Sequence, residues 1–255
     1  YKIVLFAVLI HIGLLVALKY TGFFGENINS LLKALGVSFR FKIPKIIVPI
    51  GISFYTLQGL SYIIDVYKGK INADDNLGRL ALFMAFFPSI MEGPICRYSD
   101  TAEALYDGKS LTYKNLCFGA QRLLLVLMKK IVIADRLNPF IEKIFCEYSN
   151  LDGGVILFGA IFYTIQLYMD FSGTIDVVIG STEMFGITLP ENFRQPFFSK
   201  NISDFWTRWH ITLGTWFRDY IFYPVSLSKP MKKVTLVSRK VLGNHYAPLL
   251  AGSIA

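Results

Sequence analysis

The longest apolar stretch of the chain, over residues 153–180, is long enough to cross a membrane as a helix. A spanning helix needs about 20 apolar residues, and several other runs approach this length. Only 17% of the 255 residues are charged, whereas soluble domains carry about 25%. The sequence therefore predicts an all-α polytopic membrane protein. We expect spanning segments near 3–20, 44–66, 77–95, 116–135 and 153–180, and the start of a further one at 246–255.

The net charge of +8 has two explanations, nucleic-acid binding and basic cytoplasmic loops. The second is the commoner cause in a membrane protein, because cytoplasmic loops carry an excess of lysine and arginine. A basic run therefore predicts a cytoplasmic loop, and it comprises Lys229, Lys232, Lys233, Arg239 and Lys240. We expect no nucleic-acid partner. The three cysteines are scattered without metal-ligand spacing, so we expect no metal. Both ends fall inside apolar runs, which predicts an internal piece of a longer protein.

Residues 200–224 read KNISDFWTRWHITLGTWFRDYIFYP and contain all three tryptophans. They are too polar to span a bilayer and too aromatic for a solvent loop. We predict one amphipathic or re-entrant helix over 203–223, capped by Ser203 and stopped by Pro224. His210 would then lie at the edge of the aromatic face, where apolar and polar surfaces meet. A helix that only anchors the protein at the lipid headgroups has the same pattern, so that alternative stays open.

Acidic side chains fall inside the predicted spans, where they must be paired or face water. Glu92 follows the helix breaker Pro88, and Arg97 is a plausible partner for it. A helix end that simply reaches the membrane interface has the same pattern, so that alternative stays open. Asp170 and Asp176 lie about 120° apart on a helical wheel, so they do not form an acid–base dyad. We expect these two aspartates to organise polar contacts between helices, and the orientation of a histidine by either one stays open.

Basic side chains also fall at membrane depth. Lys129 and Lys130 lie among leucines and valines. We expect them to snorkel toward the headgroups rather than to line a site for an anionic donor. His11 lies inside the first predicted span, and we expect a buried hydrogen bond to hold it.

Three stretches together resemble one known family: IVPIGISFYTLQGLSYIIDVYKGK, FFPSIMEGPICRYSD, and the run from QLYMDFSG to ITLPENFRQPFFSKNISDFWTRWHITLGTWFRDYIFYP. They are similar to the membrane-bound O-acyltransferase (MBOAT) family, in its bacterial alginate O-acetyltransferase-like branch. That branch is related to the D-alanyl transfer protein of teichoic acid modification. The resemblance implies a ring of transmembrane helices, with re-entrant and amphipathic helices around a central funnel, in the bacterial cell membrane.

The resemblance also implies an activity. Members transfer an acyl group, here expected to be acetyl, from a cytoplasmic thioester to hydroxyls of an exported polysaccharide. No bound cofactor is implied, since acetyl-CoA or an acyl-carrier thioester acts as co-substrate. Membrane lipid, the polysaccharide acceptor and an extracytoplasmic acetyltransferase are the implied partners.

The family pattern contains two histidines. His210 matches the one in the FWTRWH segment and takes a supporting role, whereas the main catalytic histidine lies beyond Ala255. His245 sits in a polar loop without the flanking pattern and does not replace it. The other candidates for pore lining or substrate contact are Trp206, Arg208, Trp209, Arg218, Asp219, Glu92, Arg97, Asp170 and Asp176.

Arg208 and Arg218 would hold anionic groups of the donor or contact headgroups. Two rival functions stay open. Broken helices and charges at membrane depth serve a transporter or flippase equally well. A non-catalytic scaffold for a separate acetyltransferase is the other alternative.

Overall fold

A computed structural model of the protein describes residues 2–108 and 111–237. These residues form helices and loops, and the part described contains no β-strand, only an isolated bridge between Phe193 and Trp209. The α-helices are α1 (Lys2–Leu15), α2 (Thr21–Ala34), α3 (Ile52–Tyr67), α4 (Leu77–Met84), α5 (Phe87–Glu92), α6 (Tyr98–Tyr106), α7 (Tyr113–Leu127), α8 (Asp135–Cys146), α9 (Gly153–Met184), α10 (Ile202–Arg208), α11 (Ile211–Phe217) and α12 (Tyr223–Ser226), followed by a helical stretch over 229–237.

Three π-helical segments join consecutive α-helices. Val16–Tyr20 links α1 to α2, Met128–Ala134 links α7 to α8, and Arg218–Phe222 links α11 to α12. Two 3₁₀ turns, Tyr148–Asn150 and Pro196–Phe198, lie in the connections. The first two helices therefore form one continuous rod.

Two helices among the described residues are long and apolar enough to cross a membrane: Lys2–Ala34, which includes the first π segment, and Gly153–Met184. Helices lie at all five predicted positions, but α3 starts only at Ile52 and the stretch 77–95 is divided into α4 and α5. Pro88 lies in the first turn of α5, where proline is tolerated because the amide would have no helical partner. The five-span ring around a funnel stays a prediction. The segment 246–255 and His245 lie outside the described residues.

Helix α9 is the central element of the fold, because α5, α7 and α8 all pack against it. It packs most extensively against α7, where Gly119 and Gly180 lie at the contact. A Cβ on Gly119 would lie 2.5 Å from the carbonyl oxygen of Gly180. The missing side chain lets the two backbones meet, which is how small residues act between membrane helices.

Helix α1 packs against α3 on another side of the fold. His11 accounts for part of this contact, since its ring lies against Gly59. Its Nδ1 donates to the carbonyl of Ala7 at 2.8 Å. The predicted hydrogen bond is thus present, but it lies within α1 and is only partly buried. A second close approach is at Gly51, whose φ of +77° and distance of 2.1 Å from a built Cβ to Ile90 leave room for glycine alone.

Candidate functional site around His210

The prediction of one helix over 203–223 is wrong at its centre. Helix α10 ends at Arg208 and α11 begins at Ile211, and His210 between them adopts a left-handed conformation with φ +46° and ψ +52°. The helix start also differs, because Asn201 rather than Ser203 caps it by accepting from the Asp204 amide at 2.8 Å. Pro224 does not stop the helix, since it lies in the first turn of α12.

The break is held by backbone pairing with an earlier segment. The amide of Arg194 donates to the carbonyl of Arg208 at 3.0 Å, and the amide of Ile211 donates to the carbonyl of Asn192 at 3.0 Å. These bonds satisfy backbone groups that a continuous helix would have used internally. The helical wheel missed the break because the cause is a contact made by a distant part of the chain.

The break turns His210 toward a cavity of about 300 Å³. The cavity is lined by Phe54, Glu92, Gly93, Leu167, Asp170, Phe171, Thr174, Ile175 and His210. The ring of Phe171 meets the imidazole edge to face, with centroids 5.0 Å apart and an interplanar angle of 85°. Three predicted site residues, His210, Glu92 and Asp170, are thus brought together around one space.

His210 lies between two seven-residue helices, each too short to span a bilayer. Burial lowers the pKa of His210, because desolvation disfavours the imidazolium. Its Nδ1 is buried and has no hydrogen-bond partner within residues 2–108 and 111–237. A neutral imidazole with a free ring nitrogen can accept a proton or orient a hydroxyl.

The two carboxylates of this cavity have different partners. Asp170 forms an ion pair with Lys130 at 2.5 Å, and Lys130 also contacts Asp135 at 3.2 Å. Glu92 ends α5 and is exposed. The predicted Glu92–Arg97 pair is wrong, because Arg97 turns away to bind Asp219 at 2.7 Å.

A second, larger cavity of about 810 Å³ lies on the α7 side of α9. Its lining includes Asp176 and Arg208, and it shares Ile175 with the His210 cavity. Asp176 accepts from Nε and Nη2 of Arg122 at 2.9 and 2.6 Å and from Lys129 at 2.6 Å. Arg122 also binds Glu191 at 2.6 Å.

The prediction that Lys129 and Lys130 snorkel is therefore wrong, since both pair with aspartates of α9. Both lysines belong to the π-helical segment Met128–Ala134, which packs against α9. Their partners, Asp176 and Asp170, lie in different cavities. The aspartates therefore organise contacts between helices, as expected, and they do not form a dyad.

Apart from Arg208, the remaining candidates lie outside the lining of the two cavities. Trp206 is 61% exposed, and Trp209 stacks on Phe205 with centroids 5.5 Å apart. Arg218 is exposed and pairs with Asp219 at 3.0 Å. Arg208, by contrast, lines the larger cavity while it binds Asp204 at 2.9 Å.

The sequence reasoning missed Asn192, which is fully buried beside the break. The only local signal was an asparagine between two prolines, at 190 and 196. Such a pattern predicts a turn, and it does not indicate which later residues the turn contacts.

Residues 74–239 match the family model described as MBOAT, membrane-bound O-acyltransferase family. The chain is 41% identical over 204 residues to a probable alginate O-acetylase of Azotobacter vinelandii, covering 80% of this chain and 40% of the relative. It is 34% identical over 241 residues to a peptidoglycan O-acetyltransferase of Helicobacter pylori, covering 84% and 45%.

A third relative is a teichoic acid D-alanyltransferase of Bacillus subtilis, which is 36% identical over 178 residues, covering 68% of this chain and 44% of the relative. The chain thus spans less than half the length of each of these relatives.

Proposed function

Because the chain belongs to the membrane-bound O-acyltransferase family, we propose that the full-length protein transfers an acyl group, with acetyl as the expected group, to hydroxyls of an exported polysaccharide. The names of the relatives support this proposal, since two of them are O-acetylating proteins of alginate and of peptidoglycan. The observation that carries it within this chain is the cavity shared by His210, Glu92 and Asp170.

The proposed step is attack of an acceptor hydroxyl on a thioester carbonyl. A histidine removes the hydroxyl proton as the new C–O bond forms. The C–S bond then breaks, and the protonated histidine gives the proton to the leaving sulfur, which departs as a thiol. General-base catalysis of this kind contributes about 10²–10⁴-fold. The family resemblance assigns the main base to a histidine beyond Ala255, and His210 supports it by orienting the hydroxyl or polarising the carbonyl.

The donor is proposed to be a cytoplasmic thioester, either acetyl-CoA or an acyl-carrier protein, and no bound cofactor is required. Arg208 and Arg194 both line the larger cavity, and a guanidinium group binds phosphate well because its donors match the phosphate oxygens. We place the anionic part of the donor there. Arg218 lies outside that cavity and is assigned to the lipid headgroups.

The proposed setting is the bacterial inner membrane, with several spanning helices and contacts to lipid. An extracytoplasmic acetyltransferase is the proposed protein partner that completes modification of the polysaccharide. Neither nucleic acid nor a metal ion has a part in the proposed reaction.

The test is the O-acetyl content of the polysaccharide in cells that lack the gene and carry a full-length copy. Wild-type protein should restore O-acetylation, and His210→Ala should leave only a small residual rate, because His210 supports the main base and does not replace it. His11→Ala is the matched control, because that histidine bonds within its own helix and lines neither cavity. Near wild-type O-acetylation by His210→Ala at equal protein level would remove His210 from the reaction. Export of an unmodified polysaccharide that depends on the gene would support a flippase instead.

A further inference from the structure

Asn192 binds both residues that follow His210. Its carbonyl accepts from the Ile211 amide at 3.0 Å, and its side-chain Oδ1 accepts from the amide and the hydroxyl of Thr212 at 3.1 and 2.5 Å. Asn192 is 0% exposed. A buried side chain in a fixed environment has few alternative rotamers, so these three bonds define where the chain runs after the break.

Thr212 extends the same contact to a third segment. Its hydroxyl accepts from the Ile95 amide at 3.0 Å while donating to Asn192, and the residue is 7% exposed. Ile95 follows closely after Glu92 and Gly93, which line the His210 cavity. One hydroxyl therefore connects the turn at His210 to the segment that carries Glu92, which lines the same cavity.

The conformation of His210 requires such support. A side chain other than glycine rarely adopts a positive φ, and it persists there only when the surrounding structure imposes it. His210 has no cap hydrogen bond from its own side chain, and its Nδ1 is unpartnered within the residues described. The position of the imidazole is thus fixed by its backbone and by packing. The side chains of Asn192 and Thr212 stabilise that backbone through their hydrogen bonds.

We propose that Asn192 and Thr212 are positioning residues, which aim the His210 imidazole into its cavity by fixing the left-handed turn. This inference rests on the proposed acyl transfer for its catalytic consequence. A displacement of about 1 Å at a reacting group can lower a rate about 10²-fold. The loss of either contact should therefore lower transfer by roughly this factor, although neither residue lines the His210 cavity.

The test is the initial rate of polysaccharide O-acetylation in cells that carry variants of the full-length protein at equal levels. Thr212→Val keeps the shape and removes the hydroxyl, so the rate should fall about 10²-fold. Thr212→Ser keeps both hydroxyl contacts and should restore most of the rate. Thr215→Val is the control, because among the described residues the Thr215 hydroxyl bonds only within its own helix, to the Thr212 carbonyl at 3.1 Å.

A double variant separates positioning from general stability. In a His210→Ala background, Thr212→Val should cause no further loss, because residues that act through one group are not additive. An equal further loss in that background, or a Thr212→Ser variant as slow as Thr212→Val, would overturn the proposal. Asn192→Ala removes the other partner of the Thr212 hydroxyl, and its rate should fall in the same way as that of Thr212→Val.

A structural measurement decides the inference without any activity. An electron cryo-microscopy structure of the full-length Thr212→Val or Asn192→Ala protein should show residue 210 outside the left-handed region and its ring moved from Phe171. An unchanged turn would overturn the proposal. If wild-type protein transfers no acyl group, the proposed function fails, and this structure still decides whether the two residues hold the turn.

Discussion

Asp176 is the residue whose removal tests the packing around α9 most severely. Its carboxylate is 12% exposed, and it neutralises two cations of the α7 side, Arg122 and Lys129, each at 2.6 Å. Asp176→Asn keeps the size of the side chain and removes the charge. It would leave two cations with side-chain exposures of 20% and 15% partly unpaired.

The expected loss in the free energy of unfolding depends on the partners that Arg122 and Lys129 keep in the variant. Breaking a buried ion pair costs about 3–5 kcal/mol. Arg122 keeps Glu191, and Lys129 keeps a contact of 3.3 Å to the Ser172 hydroxyl. The lower end of the range therefore applies, and we expect a loss of about 3 kcal/mol.

The assay is thermal unfolding of the purified full-length protein in detergent. A loss of 1 kcal/mol lowers Tm by about 2–4 °C in a chain of this size and by less in a longer one, so a fall of roughly 5 °C is expected. Asp135→Asn is the control, because the exposed Asp135–Lys130 pair contributes less than about 1 kcal/mol. Adding Lys129→Met to Asp176→Asn should recover part of the loss. Equal Tm values for Asp176→Asn and Asp135→Asn would refute the reasoning.

Gly119→Ala should destabilise the α7–α9 contact, because its Cβ would lie 2.5 Å from a carbonyl oxygen of α9. Gly173→Ala should be tolerated, because the nearest atom to its Cβ would lie 3.7 Å away. The yield of folded protein in membranes compares the two variants. Trp216→Ala should lower the free energy of unfolding by about 3–5 kcal/mol, because Trp216 is only 4% exposed. Trp206→Ala should lower it far less, because Trp206 is 61% exposed. Equal shifts in Tm for the two variants would contradict this prediction. Because burial lowers the pKa of His210, the unfolded chain binds a proton more readily, so the wild type should lose stability relative to His210→Gln as pH falls below about 6.5. A stability difference that stays constant from pH 8 to 5 would refute that sign.

The sequence predicted a helix correctly where the residues that determine it lie close together in the chain. The apolar run at 153–180 corresponds to α9, and Pro88 lies in the first turn of a new helix. The wheel also separated Asp170 from Asp176, which lie in different cavities. Periodicity and proline chemistry act within one element, so a single sequence reports them.

Pairings between distant segments could not be predicted in this way. The helix over 203–223 breaks because residues 192–194 bind on both sides of His210. The two lysines of the π segment form ion pairs with aspartates of another helix, and Arg97 binds Asp219 and not the nearby Glu92. Each outcome depends on which helices pack together, and the residues around the charged group do not carry that information.

The central claim is that His210 belongs to an acyl-transfer site. The most direct measurement uses the purified full-length protein in lipid vesicles, with acetyl-CoA or an acetylated carrier protein labelled in the acetyl group, and with the host polysaccharide as acceptor. We predict ester-linked label on the polysaccharide with wild-type protein and its loss with His210→Ala. Label transferred equally by both proteins, or polysaccharide carried across the vesicle without gaining an ester, would contradict the account.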